Sequence, residues 1–215
     1  MSRVKEFDVD EACDGALTLF RRQGYEATSV SDLVTHLGVA KASLYATFGT
    51  KHDLYVTALK RYAERTDARV MAQLSEPGSG VAAVRRLFDG YAAEILGDET
   101  RMGCFVVNAA IELLPRDPEV ARLVERSWDT LEVALTMALE RARAQGELPG
   151  GSDPATLARF LLTVLQGLRV LGKGTDAAGR VDAAVSQAMR ILIQESSDQK
   201  EGTRWGHVSQ ARSSW

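Results

Sequence analysis

The sequence predicts an all-α protein of about nine helices. Apolar residues recur at intervals of three and four along nearly the whole chain, which is the spacing of one helix face. Residues that cap helix N-termini precede these segments, and glycines follow several of them. Alternating patterns typical of half-buried strands are not evident. We therefore expect several short helices near the N-terminus and longer ones after them.

Length and composition limit the classes of protein that this chain can be. Its 215 residues are 45% hydrophobic and 26% charged, with a net charge of −3, which argues against a protein that coats nucleic acid indiscriminately. No run approaches the about 18 apolar residues of a membrane span, and no signal-peptide core is present. We expect a cytoplasmic protein with reduced cysteines, Cys13 and Cys104. The histidines have no metal-ligand spacing, so no metal or cofactor is predicted.

The first helix is expected to begin after Asp8 and to end at Gly24. Asp8 and Glu11 have the spacing of a capping box, and Gly24 suits a helix end. The apolar positions at helical spacing between these ends are Ala12, Ala16, Leu17 and Phe20.

Three further helices follow closely along the chain. Ser29 caps the second, and Gly38 ends it after barely two turns. The third holds Leu44 and is equally short. Thr50 caps a fourth helix, which we expect to run to about Leu74.

After a break at residues 75–80, the sequence predicts longer amphipathic helices. Asp153 and Pro154 suit the N-cap and the first position of one of them. The expected segments are 81–96, 103 to just before Pro115, 118–144, 155–171 and a last helix after the Gly-rich turn that begins at Gly172.

These segments divide the chain into three predicted parts. Residues 1–57 form a unit of short helices, with a fourth helix starting near residue 51 as the linker, and residues 58–195 form a larger helical body. Residues 196–215 lose the helical spacing and are rich in Ser, Gln and Gly. We expect this last part to be a disordered tail.

Two short helices joined at a tight turn are typical of a helix-turn-helix, whose second helix enters the major groove of DNA. Gly38 supplies the positive φ that the turn needs. Lys41 can donate to guanine, Ser43 can bond several bases, and Ala42 can contact a thymine methyl group. From spacing alone, a compact helical hairpin without DNA binding is the alternative.

Local charge favours the DNA-binding interpretation. Between Arg21 and Arg65, seven basic residues stand against four acidic ones, in a chain whose net charge is −3. The helix N-termini at Thr28–Ser29 and Thr50–Lys51 would present backbone N–H groups and a positive dipole end to phosphates.

Residues 16–55, ALTLFRRQGYEATSVSDLVTHLGVAKASLYATFGTKHDLY, resemble the N-terminal DNA-binding domain of TetR/AcrR-family transcriptional regulators. The match extends over roughly residues 10–57. The shared elements are the Ala16, Phe20, Gly24 and Tyr25 pattern, Thr28, Gly38-Val39, the Ser43-Leu44-Tyr45 triplet, Phe48 and Lys51.

The resemblance implies a homodimeric regulator, in most such proteins a repressor, that binds palindromic double-stranded operators. It implies that Lys41, Ala42 and Ser43 face bases. The positions that it matches to phosphate contacts are Thr28, Tyr45, Thr47 and Lys51.

Two residues depart from the family pattern. Ala40 stands where Ser or Thr usually caps the recognition helix, and losing such a cap typically costs about 1 kcal/mol. Thr47 stands where an aromatic residue or His is common. Both departures leave more of the DNA affinity to Tyr45, Lys51 and the dimer.

The resemblance also implies dimerisation through the last two helices and an effector cavity in the larger body. The segment 155–171 is apolar on more than one face, as such an interface needs, although a buried central helix is the alternative. Small residues that would let helices approach closely are Ala158, Gly167, Ala184 and Ala188.

The segment RMGCFVVNAAIELLPRDPEVARL, which starts at Arg101, resembles one found in a subset of these regulators that has a Gly-Cys-Phe sequence. Cys104, Asn108 and Glu112 step by four residues and share one helix face, which we expect to form the polar wall of an apolar ligand cavity. Core packing is the alternative for each aromatic candidate. The other candidate walls are Phe88, Tyr91, Trp128, Phe160 and Arg169.

Cys104 is also a candidate thiol sensor, because a helix N-terminus and a nearby cation such as Lys173 favour the reactive thiolate. The alternative is an inert buried residue. An enzyme with Cys104 as nucleophile is not expected, because His36, His52 and His207 lie outside the C-terminal body. An effector-independent architectural DNA-binding protein is a further alternative, against which the size of that body argues.

Overall fold

The computed structural model describes residues 7–193, and these residues form nine α-helices and no β-strand. The predicted all-α class is confirmed for this part of the chain, and the predicted tail at 196–215 lies outside it. In chain order the helices are α1 (Val9–Gln23), α2 (Val30–Leu37), α3 (Lys41–Phe48), α4 (Lys51–Ser75), α5 (Gly80–Gly97), α6 (Phe105–Leu113), α7 (Pro118–Ala144), α8 (Pro154–Leu171) and α9 (Ala178–Ile193).

Side-chain caps set several of the helix ends. Asp8 accepts hydrogen bonds from the backbone N–H groups of Asp10 and Glu11, at 2.8 and 3.1 Å. Glu11 returns no bond within the described residues, so only half of the predicted capping box forms. Asp153 caps α8, with Pro154 at the first helical position.

The first of two hydrophobic cores joins α1–α4 to α6 and the start of α7. Its buried side chains include Phe20, Leu33, Tyr55 and Phe105. The ring centroid of Tyr55 lies 5.0 Å from that of Phe20 and 5.1 Å from that of Phe105, both edge to face. The first core thus includes α6, which lies in the predicted larger body, and the domain boundary after residue 57 stays a prediction.

The second core lies between α5, α8, α9 and the remaining turns of α4 and α7, around Leu87, Leu135, Leu165 and Val181. α4 and α7 are 25 and 27 residues long and contribute to both cores. These two helices therefore connect the two halves of the fold mechanically.

α8 is the most apolar of the long helices, yet only a third of its residues are buried. Its 18 residues have a mean hydropathy of 1.2, enough by length and composition to cross a membrane, which corrects the expectation that no segment reaches that length. It carries Arg159 and Arg169 and packs against α5, α7 and α9. Core and interface helices of globular proteins meet the same criterion.

Candidate nucleic-acid interface and ligand cavity

The turn between α2 and α3 is built on Gly38. Its φ of 65° lies in the left-handed region, and its N–H donates to the Val34 carbonyl at 3.0 Å. Leu33 and Leu44 are the buried residues of α2 and α3, respectively. Phe48 of α3 also packs, half-buried, against the same core, so contacts along one side hold α3 in place and leave its other sides open.

The predicted DNA-reading residues occupy the open sides of α3. Lys41, Ala42, Tyr45 and Thr47 are exposed, and Ser43 is half-buried. The Nζ atom of Lys41 lies 5.9 Å from the ring centroid of Tyr45, one turn away. A cation, a hydroxyl and a phenol on one short helix can donate to base edges and phosphates.

The Ser29 hydroxyl is less available to a phosphate than predicted, because it is hydrogen-bonded to Asp32. The Ser29 hydroxyl accepts from the Asp32 N–H at 3.1 Å and donates to the Asp32 carboxylate at 2.7 Å. Hydrogen bonds from the side chain and backbone of Ser29 lower the pKa of Asp32. The carboxylate therefore offsets the positive helix end that would attract a phosphate.

Two residues predicted to contact phosphates, Thr28 and Lys51, bond to the α1–α2 loop in this structure. Thr28 is fully buried, and its hydroxyl donates to the Gly24 carbonyl at 2.6 Å. Lys51 donates to the carbonyls of Tyr25 and Thr28, both at 3.0 Å, and its Nζ lies 4.1 Å from the Tyr25 ring centroid. Thr28 cannot reach DNA through its side chain, whereas Lys51 keeps one of its three N–H donors.

Ala40→Ser should stabilise α3. Ala40 occupies the N-cap with φ −69° and ψ 142°, the extended geometry of a cap, but provides no side-chain hydrogen bond. A serine there would accept from an orphan N–H, so we expect the free energy of unfolding in urea to rise by about 1 kcal/mol. Ala46→Ser, inside the same helix, is the control and should lower it by about 0.5 kcal/mol. An equal decrease in the free energy of unfolding of the two variants would show that the cap does not form.

The polar face of α6 meets the DNA-binding helices rather than a cavity. Glu112 accepts hydrogen bonds from the backbone N–H groups of Tyr25 and Glu26, at 2.9 and 2.8 Å. Gly24, with φ 87°, permits this approach, since a Cβ there would lie 3.0 Å from Glu112 Oε2. The prediction that Glu112 lines a ligand cavity is wrong, because the free N–H groups of the α1–α2 loop take its carboxylate.

Asn108 bridges the same elements, one turn before Glu112. Its Nδ2 donates to the Met102 carbonyl at 2.9 Å and, more weakly, to that of Arg21 at 3.4 Å. Its Oδ1 accepts from Lys173 Nζ at 3.0 Å. Asn108 is not among the cavity residues, so this part of the prediction is also corrected.

Asp117 fastens the start of α7 to the start of α4. Its Oδ1 accepts from the N–H groups of Glu119 and Val120, at 3.0 and 3.1 Å, and its Oδ2 lies 2.6 Å from His52 Nε2. Burial raises the pKa of Asp117, but hydrogen bonds from Val120, His52 and Glu119 outweigh burial, and the pKa is lowered.

Asp117→Asn should therefore change how stability depends on pH. Because the folded pKa lies below the unfolded value of about 3.9, the carboxylate stabilises the fold above that pH and loses this effect as pH falls through the folded pKa. The parent should exceed the variant in free energy of unfolding at about pH 5, and this excess should shrink toward about pH 3. Asp129→Asn, which removes an exposed charge of α7, is the control. An excess that stays constant down to about pH 3 would contradict the linkage.

One cavity of about 80 Å³ lies between α5, the α5–α6 loop and the end of α8. Buried Tyr91, Cys104 and Arg169 form its floor, and Lys173 and Glu94 stand at its mouth. The structure thus brings together four of the predicted ligand or sensor residues. The full lining is Arg21, Tyr91, Glu94, Ile95, Asp98, Arg101, Gly103, Cys104, Arg169, Gly172 and Lys173.

Arg169 is the chemical centre of this cavity. It is 7% exposed, its Nη1 donates to Cys104 Sγ at 2.7 Å, and its guanidinium carbon lies 4.2 Å from the Tyr91 ring centroid. Its Nη2 has no hydrogen-bond partner, and no carboxylate lies within 4.0 Å, among residues 7–193. Burial acts to lower the pKa of Arg169, but Cys104 and nearby tyrosines raise it.

A second cavity of about 10 Å³ adjoins the first, with Tyr91 and Arg169 in the shared wall. It is large enough for about one water molecule. Trp128 Nε1 and Gln166 Oε1 line it and have no partner within the described chain. A water could bridge these two groups and Arg169 Nη2.

Two aromatic candidates do not line either cavity. Phe88 is fully buried in the second core, where it packs against other apolar side chains. Phe160 is 39% exposed on the outer side of α8. Both assignments as cavity walls are corrected, because helical spacing does not say which neighbour a side chain meets.

Two residues that shape the cavity, Arg21 and Asp98, were not predicted from the sequence. The Arg21 guanidinium donates to the Gly103 carbonyl, at 3.1 Å from Nε. The Asp98 carboxylate accepts from the Gly103 N–H at 3.0 Å and from Thr100. The Asp98 to Thr100 spacing is a local turn signal that could have been found, whereas the contact of Arg21 with a loop 82 residues away could not.

Two family models match the chain. One, described as bacterial regulatory proteins of the tetR family, matches residues 13–58. The other, described as a tetracyclin repressor-like C-terminal domain, matches residues 80–200.

Named relatives match over nearly the whole length. YezE of Bacillus subtilis (strain 168), an uncharacterized HTH-type transcriptional regulator, is 40% identical over 193 residues, which are 89% of this chain and 100% of YezE. The HTH-type transcriptional repressor ComR of Escherichia coli (strain K12) is 34% identical over 190 residues, 88% of this chain and 87% of ComR. The solved structure of a cysteine mutant of the regulator CifR, complexed with 26-bp double-strand operator DNA, matches with a TM-score of 0.77 and 31% identity, covering 87% of this chain and 98% of that one.

Proposed function

The chain belongs to the TetR family of bacterial DNA-binding transcriptional regulators, and on that premise we propose that it is a homodimeric repressor released from a palindromic operator by an effector in the C-terminal body. The effector is either a small molecule in the Arg169 cavity or a modification of Cys104 in its floor. The observation that carries this proposal is the hydrogen-bonded connection from the mouth of the cavity to the DNA-binding helices.

That connection consists of hydrogen bonds between α1, α6 and the residues at the mouth of the cavity. At the mouth, Lys173 donates to Asn108, which donates to the carbonyl at the end of α1. Arg21, in the same last turn of α1, donates to the carbonyl of Gly103, beside Cys104. A ligand or adduct that displaces Lys173 or the Gly103 peptide would therefore shift α1 relative to α6.

Such a shift would reach DNA through the geometry of the dimer. Two recognition helices must sit about 34–36 Å apart to enter successive major grooves. α4 begins directly after α3 and extends into both cores, so a tilt of α4 changes that separation. Coupling of about 1–3 kcal/mol between effector and operator is typical for such an arrangement.

Exposed apolar side chains on α8 and α9 support dimerisation through the last two helices. Phe160, Val170, Leu171 and Ile193 are between 39% and 58% exposed in the single chain. A partner that covers them would remove a large apolar surface from water. Of the small residues expected at this interface, Ala158 and Ala188 are buried within the chain and do not face a partner, whereas Gly167 and Ala184 are partly open.

Operator binding would use Lys41, Ala42 and Ser43 for bases, with Tyr45, Thr47 and the remaining donor of Lys51 for phosphates. The operator complex of the related CifR supports this proposal. With this function we expect the protein to act in the cytoplasm and to catalyse no reaction. The second candidate, an effector-independent architectural protein, is disfavoured by the cavity and its buried guanidinium.

Fluorescence anisotropy with a palindrome from the gene's own upstream region tests the DNA-binding half of the proposal. We expect binding that is selective for sequence and weakens steeply with salt, since phosphate contacts release counterions. Thermal shift against metabolites and electrophiles separates a regulator from an architectural protein. Selective shifts are expected, and their absence across the panel would favour the architectural alternative.

Cys104→Ser should leave operator binding intact but abolish release by hypochlorite or a quinone. The side chain lies in the floor of the cavity at the N-cap of α6 and receives a hydrogen bond from the Arg169 guanidinium, so an adduct there would disturb both groups. Cys13→Ser is the control, because Cys13 lies buried in the first core and burial raises the pKa of its thiol. Normal release of the Cys104 variant would leave small-molecule binding as the only route.

A further inference from the structure

We propose that the Arg169 cavity is a binding site for a small monocarboxylate, whose charge pairs with the Arg169 guanidinium and whose apolar end lies along Tyr91 and Ile95. This inference names the ligand class of the effector site, and its regulatory meaning rests on the proposed function.

The Arg169 guanidinium is a buried charge without a carboxylate partner among the described residues. Guanidinium groups stay charged in proteins, and a buried charge without a counter-ion is strongly unfavourable. Arg169 lines both cavities, with the ring of Tyr91 and the sulfur of Cys104 on two sides, and its Nη2 has no partner in the described chain. A carboxylate oxygen is the acceptor that this N–H group lacks.

The charge that remains at the mouth of the cavity is positive. The two acidic residues of the lining are already engaged, because Glu94 accepts from Arg69 at 3.2 Å and Asp98 holds the α5–α6 loop. Arg101 and Lys173 add positive charge to the lining. An anion that enters therefore meets net positive potential from the mouth to the floor.

Size and polarity select a carboxylate over other anions. At a liquid share of about 30 Å³ per molecule, a volume of about 80 Å³ holds roughly three water molecules, which corresponds to a ligand with a few carbon atoms. The floor offers one guanidinium, that of Arg169, while a phosphate has more oxygens to satisfy. The ring of Tyr91 and the side chain of Ile95 suit a short hydrocarbon part.

The cysteine in the floor provides a probe that is independent of DNA. Iodoacetate and iodoacetamide both alkylate a thiolate, with formation of an S–C bond and loss of iodide, and they differ in carboxylate against amide. In full-length Cys13→Ala protein, we expect the ratio of iodoacetate to iodoacetamide rates at Cys104 to be about tenfold higher than in the same chain unfolded in urea. The ratio cancels the thiolate fraction, which both reagents share.

Variants locate the cause of the preference. Arg169→Met should return the ratio to the unfolded value, and Lys173→Gln, at the exposed mouth, should lower it partially. Arg86→Met, on the exposed side of α5, is the matched control and should leave the ratio unchanged. If Arg169→Met fails to fold, the proposal is tested on the Cys13→Ala protein by protection of Cys104 from alkylation. Butyrate should slow the reaction of Cys104 with iodoacetamide, and butyramide should not.

Three results would overturn the proposal: a ratio equal to that of the unfolded chain, no alkylation by either reagent in the folded protein, or equal protection by butyrate and sulfate. Operator release is measured separately. Release by electrophiles without any carboxylate preference would refute the ligand class and leave the proposed function standing. A carboxylate preference without any operator release would support the ligand class and refute the proposed function.

Discussion

Leu44→Ala is expected to abolish operator binding while most of the protein stays folded. α3 has eight residues, and isolated helices shorter than about 12 residues are marginal in water. It has no side-chain cap, and Leu44, 4% exposed, is its buried residue. Truncating a buried leucine typically costs about 2–5 kcal/mol. The half-buried Phe48 is then the apolar side chain of α3 that still packs against the core, and we expect the recognition helix to detach.

The remainder of the first core should survive this change. Phe20, Tyr55 and Phe105 keep their mutual contacts, and they come from α1, α4 and α6. Urea unfolding should therefore still show a cooperative transition, while anisotropy should show at least about a hundredfold weaker operator binding. Leu44→Met, which keeps the volume, should cost less than about 1.5 kcal/mol and retain binding. Operator binding by Leu44→Ala within a few-fold of the parent would show that α3 is held by other means.

Helix bounds were predictable because they depend on local chemistry. The predicted limits of α7 coincide with the observed Pro118–Ala144, since Pro suits the first helical position. Gly38 and Ser29 likewise set the ends of α2 through their own φ angle and hydroxyl group. Each of these signals acts within about four residues, so no knowledge of tertiary packing is needed.

The cavity walls were only partly predictable, because helical spacing identifies a shared face but not its neighbour. Cys104, Asn108 and Glu112 do lie on successive turns, yet only Cys104 borders the cavity. The helix rises about 6 Å per step of four residues, and that distance carries Asn108 and Glu112 away to the end of α1. Tyr91 and Phe88 differ by three residues on α5, and only Tyr91 borders the cavity.

The phosphate contacts show a different limit of sequence reasoning. A lysine or threonine near a helix N-terminus is equally suited to a phosphate and to nearby backbone carbonyls. In this chain the carbonyls of Gly24, Tyr25 and Thr28 are close, so Thr28 and Lys51 bond to them. Which acceptor the side chain bonds to depends on how the α1–α2 loop folds, and that loop is shaped by Glu112, 86 and 87 residues after Glu26 and Tyr25.

Glu112→Gln is expected to weaken operator binding about tenfold, although Glu112 belongs to α6 and not to the DNA-reading helices. The carboxylate accepts from two backbone N–H groups, of Tyr25 and Glu26. An amide of the same size has one oxygen and one NH₂ group, so it leaves one N–H facing another donor. Losing a charge-assisted acceptor at this half-buried site should cost about 1–3 kcal/mol of unfolding free energy. The same substitution would weaken the hold on the α1–α2 loop, which positions α2 and α3.

Urea unfolding and operator anisotropy measured on the same preparations distinguish a general loss of stability from a loss of coupling. Glu125→Gln, which removes an exposed carboxylate from α7, is the control and should change neither quantity appreciably. Cys104 lies at the N-cap of α6 and Glu112 two turns later, so one short helix connects the cavity floor to the α1–α2 loop. If α6 transmits the signal, Glu112→Gln should also reduce the change in operator affinity that follows Cys104 modification. An unchanged response to modification, with weaker binding, would assign Glu112 to holding the loop and place the transmission in Arg21 and Asn108.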